Sequence, residues 1–235
     1  MSSPRQDNAC KKPQGKNPRT KLRGRKTDSP IMRFSKTLSY ALRHGAEELQ
    51  LDMRPDGYVA VAQILSKHVF RQYTEEQVEE VVRSDAKGRF SLITDDDGAM
   101  LIRANQGHTI KHVDEAALLT LITDASELPQ CLHGTYVKFW DSILKKGLCR
   151  MTRNHIHLTT QEVTGGQVIS GVRQSCDLLL YIDHAQAMAD GIPFYRSSNN
   201  VVLTPGEGDA GILDRKYFLR AVTKKGEVVY ERDAA

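Results

Sequence analysis

The sequence predicts an α+β protein of two lobes, and three observations predict it. Residues 31–110 read as helices followed by a two-stranded hairpin, and residues 129–222 alternate short strands with short helices. The chain's 235 residues also exceed the size of one domain, roughly 100–200 residues, so two hydrophobic cores are affordable. Helices ending in a β-wing describe a winged helix-turn-helix variant, an architecture commonly used on nucleic acids.

From Ser35 to Leu49 the apolar residues Leu38, Ala41, Leu42, Ala46 and Leu49 recur at helical intervals, with Ser35 as the expected N-cap. Pro55, Asp56 and Gly57 form a turn, Tyr58 to Val61 a short strand, and Ala62 to His68 a second helix. Thr74 followed three residues later by Gln77 fits a capping box, opening a helix that buries Val78, Val81 and Val82. Two β-rich runs, Phe90 to Ile93 and Met100 to Arg103, flank the turn Asp95-Asp96-Asp97-Gly98. The Ala/Leu-rich stretch 111–128 is expected to link the lobes.

In the second lobe, Cys131 to His133 reads as a strand and Val137 to Lys145 as a helix stopped by Gly147. Ile156 to Thr159 and the buried run Asp177 to Asp183 read as strands, and Ala185 to Asp190 as a helical turn. Phe194 to Arg196 and Val201 to Thr204 flank an Asn199-Asn200 turn, and residues 223–235 are expected to form a C-terminal tail.

Composition narrows the function classes. With 40% hydrophobic residues and no apolar run near the roughly 20 residues that cross a bilayer, no membrane span is expected. Residues 1–30 hold nine Lys/Arg against Asp7 and Asp28, so the rest of this +4 chain carries −3. That basic stretch is too poor in apolar residues to fold and is expected to be a disordered tail. It lacks the apolar centre of a secretory signal, so an intracellular protein, cytoplasmic or nuclear, is expected. Cys10, Cys131, Cys149 and Cys176 have no CxxC spacing, which signals neither a zinc site nor a disulfide framework.

Cations punctuate the sequence at long intervals. Arg43-His44 sits beside the apolar stripe of the first helical run, Lys87-Gly88-Arg89 precedes the wing, and Arg103 with Asn105, Gln106 and His108 follows it. Arginine offers five fixed donors suited to phosphate oxygens, histidine adds a proton near neutral pH, and loop ends favour binding residues. Extended backbone from Arg153 would aim Arg153, His155 and His157 at one face, opposite Ile156 and Leu158. No third ligand accompanies the histidines, so no metal is expected. His133-Gly134-Thr135 and His157-Leu158-Thr159 share the form His-x-Thr, the doubled signature of two-histidine phosphoesterases. A noncatalytic winged-helix RNA binder is the third reading.

Taken together, the runs Leu38 to Gly45, Lys87 to Phe90, Ile102 to Thr109, Leu132 to Thr135, Arg153 to Leu158 and Asp190 to Ser197 resemble the NAD-dependent RNA 2'-phosphotransferases, in the same order. The resemblance implies a C-terminal ADP-ribosyltransferase-like lobe, NAD as cosubstrate, and RNA bearing a splice-junction 2'-phosphate as partner of a monomeric enzyme. It implies a catalytic tetrad of Arg43, His44, Arg89 and Arg153, with His133, Gly134, Thr135, His155 and His157 lining the NAD pocket. Tyr195, Arg196, Ser197 and Asn199 would stand near its far wall, while Arg103, Asn105, Gln106 and His108 would serve RNA or phosphate. In that family the RNA 2'-phosphate displaces nicotinamide from NAD to give a 2'-phospho-ADP-ribosylated RNA. The phosphate then leaves as ADP-ribose 1'',2''-cyclic phosphate, and the RNA keeps a 2'-hydroxyl.

Overall fold

Ser29 and Pro30 set where the first helix begins. In the computed structural model, which describes residues 23–114, 118–161 and 169–233, helix α1 spans Pro30–Arg43. The Ser29 hydroxyl accepts from the Met32 amide, and Pro30 fills the first turn, where its missing N–H costs nothing. Ser35 is therefore not the cap but lies inside the helix. The helix stops at His44, so Ala46 and Leu49 of the expected stripe lie beyond it, on a turn closed by Leu49 N–H donating to Gly45 at 2.9 Å.

Strand β1 is only Val59–Ala60, and α2 follows at Val61–Ser66. Helix α3, Glu75–Arg83, has the reciprocal Thr74/Gln77 capping box. Strands β2, Phe90–Thr94, and β3, Met100–Ala104, pair antiparallel, and β1 adds to β3 to give the order β1-β3-β2. The helices and this sheet enclose a first core around Phe34, Leu38, Leu42, Ile64, Phe70 and Ile102. Phe34 stacks on Tyr73 at 3.8 Å between ring centroids. This is the segment expected to end in a hairpin, with its register running from Phe90 opposite Ala104 to Thr94 opposite Met100.

The stretch expected to be a linker contains strand β4, Leu119–Ile122. After it come β5, Cys131–Thr135, a 3-10 turn at Val137–Phe139, and α4, Trp140–Lys146. Gly147 ends α4 with φ 80°, a conformation that favours glycine. Then follow β6, Leu148–Cys149; β7, Ile156–Leu158; β8, Leu178–Ile182; α5, His184–Ala189; β9, Phe194–Ser197; and β10, Val202–Thr204. The last strands are β11, Ile212–Leu213; β12, Phe218–Thr223; and β13, Val228–Glu231. Strand β13 pairs with β12, so the stretch expected to be a tail is largely a sheet edge.

Two four-stranded antiparallel sheets, β4-β9-β10-β7 and β13-β12-β8-β5, enclose the second core, with Leu158, Leu178, Phe194, Tyr217 and Phe218 at its centre. The whole is α+β. The basic stretch lies mostly outside the described residues.

The two cores meet along a few polar clasps. The Lys87 carbonyl accepts from Asn199 Nδ2 and from Ser170 Oγ, each at 2.8 Å, while Lys87 Nζ donates to the Val172 carbonyl at 2.8 Å. The Asn154 amide donates to the His108 carbonyl at 3.3 Å. A cavity of about 420 Å3 opens at this junction.

Candidate active site

Arg43 enters the cavity because α1 ends there. The Arg43 carbonyl accepts from the Thr109 amide at 2.9 Å and the Thr109 hydroxyl at 3.3 Å, which ties the helix end to the segment after β3. The Arg43 guanidinium is largely buried, and its Nε and Nη2 have no hydrogen-bond partner. Burial first, and then the charges of Arg153 and Arg89, push its pKa down to about 10. A cation held so dry with donors unspent is poised to bind an anion.

Arg153 reaches the same cavity from the turn before β7, not from the strand itself, which begins only at Ile156. Burial, with Arg173 second, lowers its pKa also. His157 lies between the two guanidiniums. Burial, then Arg153, then Arg43, hold its pKa well below the ordinary value, so the ring is neutral. Its Nε2 contacts Gln106 Oε1 at 2.7 Å, and its Nδ1 stands 3.1 Å from the His155 carbonyl and 3.4 Å from Arg153 Nη1. With a proton on Nε2 the ring donates to Gln106 and Nδ1 accepts from Arg153; with a proton on Nδ1 it donates to the His155 carbonyl, and Nε2 accepts from the Gln106 amide turned over. Gly107, with φ 86°, lets the chain pass this ring: a Cβ there would sit 3.3 Å from His157 Nε2.

His133, on β5, donates from Nδ1 to the His157 carbonyl at 2.9 Å, since a carbonyl only accepts. Burial lowers its pKa, and the neutral ring therefore turns an acceptor, Nε2, to other partners. Gly134 and Thr135 continue the wall, as does His155. The His155 ring is braced edge-on by Tyr195 at 5.7 Å.

Other expected site residues stand elsewhere. His44 is exposed at the helix end, with Nδ1 3.1 Å from Thr109 Oγ1. Arg89 lies outside the main cavity wall, facing a smaller recess of about 190 Å3. The buried Asp85 carboxylate accepts from its Nε and Nη2 at 2.9 and 2.7 Å. Its charge nevertheless acts on both Arg43 and Lys87. Arg103 turns away to the Asp56 carbonyl at 3.3 Å and covers the Tyr58 ring. Asn105 is buried, accepting from Ser91 Oγ at 2.6 Å and donating to the Gly88 carbonyl at 2.7 Å, so it braces the loop that carries Arg89. His108 is wholly buried. Arg196 donates to the Glu127 carbonyl at 3.2 Å, while Ser197 and Asn199 build the turn that clasps Lys87.

Sequence reasoning missed several lining residues. Lys87, Arg150 and Arg173 add cations, and Tyr136 and Phe139 add an aromatic lip. Lys87 stood in a cation cluster and Tyr136 directly follows Thr135, so both carried a local signal; Arg150 and Arg173 carried none. Asp85 was missed as well, because a lone carboxylate five residues before a wing looks like surface.

Residues 29–206 match the family described as RNA 2'-phosphotransferase, Tpt1 / KptA family. The chain is 47% identical over 199 residues to tRNA 2'-phosphotransferase 1 of Danio rerio, covering 84% of this chain and 88% of the relative. It is 44% identical over 206 residues to tRNA 2'-phosphotransferase 1 of Homo sapiens, covering 85% and 81%. It is 34% identical over 183 residues to tRNA 2'-phosphotransferase of Saccharomyces cerevisiae, covering 75% and 80%.

Proposed function

The chain belongs to the Tpt1/KptA family of RNA 2'-phosphotransferases, and on that premise we propose that it removes the 2'-phosphate left at a tRNA splice junction, with NAD as acceptor. One observation carries the reading: a largely buried Arg43 guanidinium, its Nε and Nη2 without hydrogen-bond partners, beside Arg153 in a cavity between two cores. A 2'-phosphate monoester is an anionic nucleophile already. It needs orientation and charge compensation more than a general base, and preorganised guanidiniums in a dry site supply both.

The cavity's chemistry suits a dinucleotide. Its volume of about 420 Å3 falls within the range of about 300–1,000 Å3 typical of small-molecule sites. Its wall offers Nε2 of His133 as acceptor for a ribose hydroxyl, Lys87 and Arg173 as cations for phosphates, and the Tyr136/Phe139 lip as an apolar platform. NAD supplies an anomeric carbon with nicotinamide as leaving group. Arg43 and Arg153 hold the attacking phosphate against it. Attack of the ribose 2''-hydroxyl on phosphorus then releases ADP-ribose 1'',2''-cyclic phosphate and leaves RNA with a 2'-hydroxyl. Charge on the equatorial phosphoryl oxygens in that step again favours guanidiniums. His44, next in the chain to Arg43 but outside the cavity wall, is the candidate proton carrier once RNA covers the helix end. We read the segment 31–110 as a winged-helix RNA-binding lobe and 129–222 as an ADP-ribosyltransferase-like lobe.

A two-histidine phosphoesterase is disfavoured, because both ring nitrogens of His157 are engaged inside the protein and Nδ1 of His133 is spent on the His157 carbonyl. The test is an incubation with NAD and a 2'-phosphorylated RNA oligonucleotide, followed by mass detection. Nicotinamide and the cyclic phosphate should appear only when both substrates are present. Loss of the 2'-phosphate at an unchanged rate without NAD overturns the reading.

A further inference from the structure

Arg150 lines the cavity two residues before Thr152 and three before Arg153, yet its guanidinium does not spend its donors on the cavity. Its Nη1 donates to the Arg153 carbonyl at 3.1 Å, and its Nη2 donates to the Asp209 carbonyl at 2.7 Å. The Arg150 amide donates to the Gly211 carbonyl at 2.9 Å, and the Arg153 amide returns to the Arg150 carbonyl at 3.3 Å. The side chain lies directly over Gly211, where a Cβ would run into Arg150 Cδ and Nε. Gly211 also has φ 59°, a backbone that strains other residues. The loop that carries Gly211 is itself pinned, because Glu207 bridges Ile212 and β11 pairs with β6 next to Arg150. This loop follows residue 206, where the match to the family ends.

We propose that Arg150 is a positioning residue for Arg153: it bridges the turn carrying the catalytic guanidinium to the 207–211 loop and so fixes where Arg153 meets the substrate phosphate. This rests on the transferase reading above. Guanidinium suits the task because its planar fork reaches two carbonyls at a fixed separation, which an ammonium on a flexible stem does not. With the bridge gone, the turn keeps its backbone anchors, the Arg150 amide on the Gly211 carbonyl and the Asn154 amide on the His108 carbonyl, but the Arg153 carbonyl loses the guanidinium that ties it to the 207–211 loop, and Arg153 samples positions away from the phosphate. Misplacement by about 1 Å is enough to cost up to a hundredfold in rate.

A double-mutant cycle tests this, with two readouts: the single-turnover rate at saturating NAD, and calorimetric binding of a 2'-phosphorylated trinucleotide. Arg150→Ala should lower the rate and weaken binding about five- to tenfold in the wild-type background, and by less than about twofold in the Arg153→Ala background. Arg150→Lys, reaching one carbonyl, should restore part of the loss, and Gly211→Ala, whose added methyl runs into the Arg150 side chain, should reproduce it. Equal losses in both backgrounds, or no loss from Arg150→Ala, overturn the proposal. A merely structural Arg150 would lower both backgrounds alike. If wild type binds the trinucleotide but yields no NAD-dependent product, the transferase reading fails while the binding cycle still decides the role of Arg150. If wild type does not bind it, both fail.

Discussion

Replacing Arg43 by methionine should make the protein more stable and nearly inactive. The side chain keeps an unbranched stem of similar reach but loses the charge, so packing is largely retained. In the wild type, burial and the neighbouring charges of Arg153 and Arg89 bring the guanidinium down to about 10. At about 1.4 kcal/mol per pKa unit, holding that cation costs the folded state on the order of 3 kcal/mol, and water reaching the cavity screens this to about 1–2 kcal/mol. The sign follows from linkage. The folded state binds the proton less well than the unfolded chain, so the cost is fully present at every pH below about 10 and is relieved only above it. Urea unfolding at pH 7.5 should therefore give Arg43→Met a midpoint corresponding to about 1–2 kcal/mol of added stability, while its rate falls at least tenfold. Inorganic pyrophosphate should raise the melting temperature of the wild type and leave that of the variant unchanged. An Arg43→Met protein less stable than wild type by more than about 1 kcal/mol, or one turning over at the wild-type rate, would refute the idea that a costly cation is kept for an anionic substrate.

Arg153→Ala should fold normally and lose at least about tenfold in kcat/KM, and wild-type turnover would remove Arg153 from the site. His157 should give the fold a pH dependence. Its folded pKa is depressed by burial, then by Arg153 and Arg43, so stability drops as pH falls below the unfolded value of about 6.5, with a slope near 1.4 kcal/mol per pH unit. His157→Gln should flatten that slope in urea melts taken between pH 7 and 5, and an unchanged slope would assign it to other groups. Gly134→Ala places a methyl against Val172 Cγ1 and 3.1 Å from Cys176 Sγ, so it should push the 171–173 segment and raise the KM for NAD more than that for RNA. Equal KM values in the variant and the wild type would show that this wall does not touch the dinucleotide. Asp85→Asn removes the buried partner of Arg89 and should destabilise by about 1–3 kcal/mol with a fall in kcat, read by chemical denaturation and single-turnover rates.

The amino-acid sequence by itself determined the elements whose signals are local. The Thr74/Gln77 capping box, the β2–β3 hairpin around Gly98, and the stop of α4 at Gly147 each depend on residues within a few positions of one another, and each forms where expected. Ser29-Pro30 is an equally local signal for the start of α1, and it lies six residues before Ser35, where the hydrophobic stripe begins. Motif order was legible too, and Arg43, His133, Arg153, His155 and His157 do line one cavity. Only the tertiary structure decided which neighbours in a motif serve the cavity and which serve the frame. Gln106 points to His157 while Asn105, one residue earlier, holds Gly88, because successive residues at a strand end face opposite sides. The pairing of β4 with β9 and the clasp of Lys87 by Asn199 and Val172 join residues far apart in the chain. Such contacts are selected by the burial and hydrogen-bond satisfaction of the whole fold, which no short window of sequence contains.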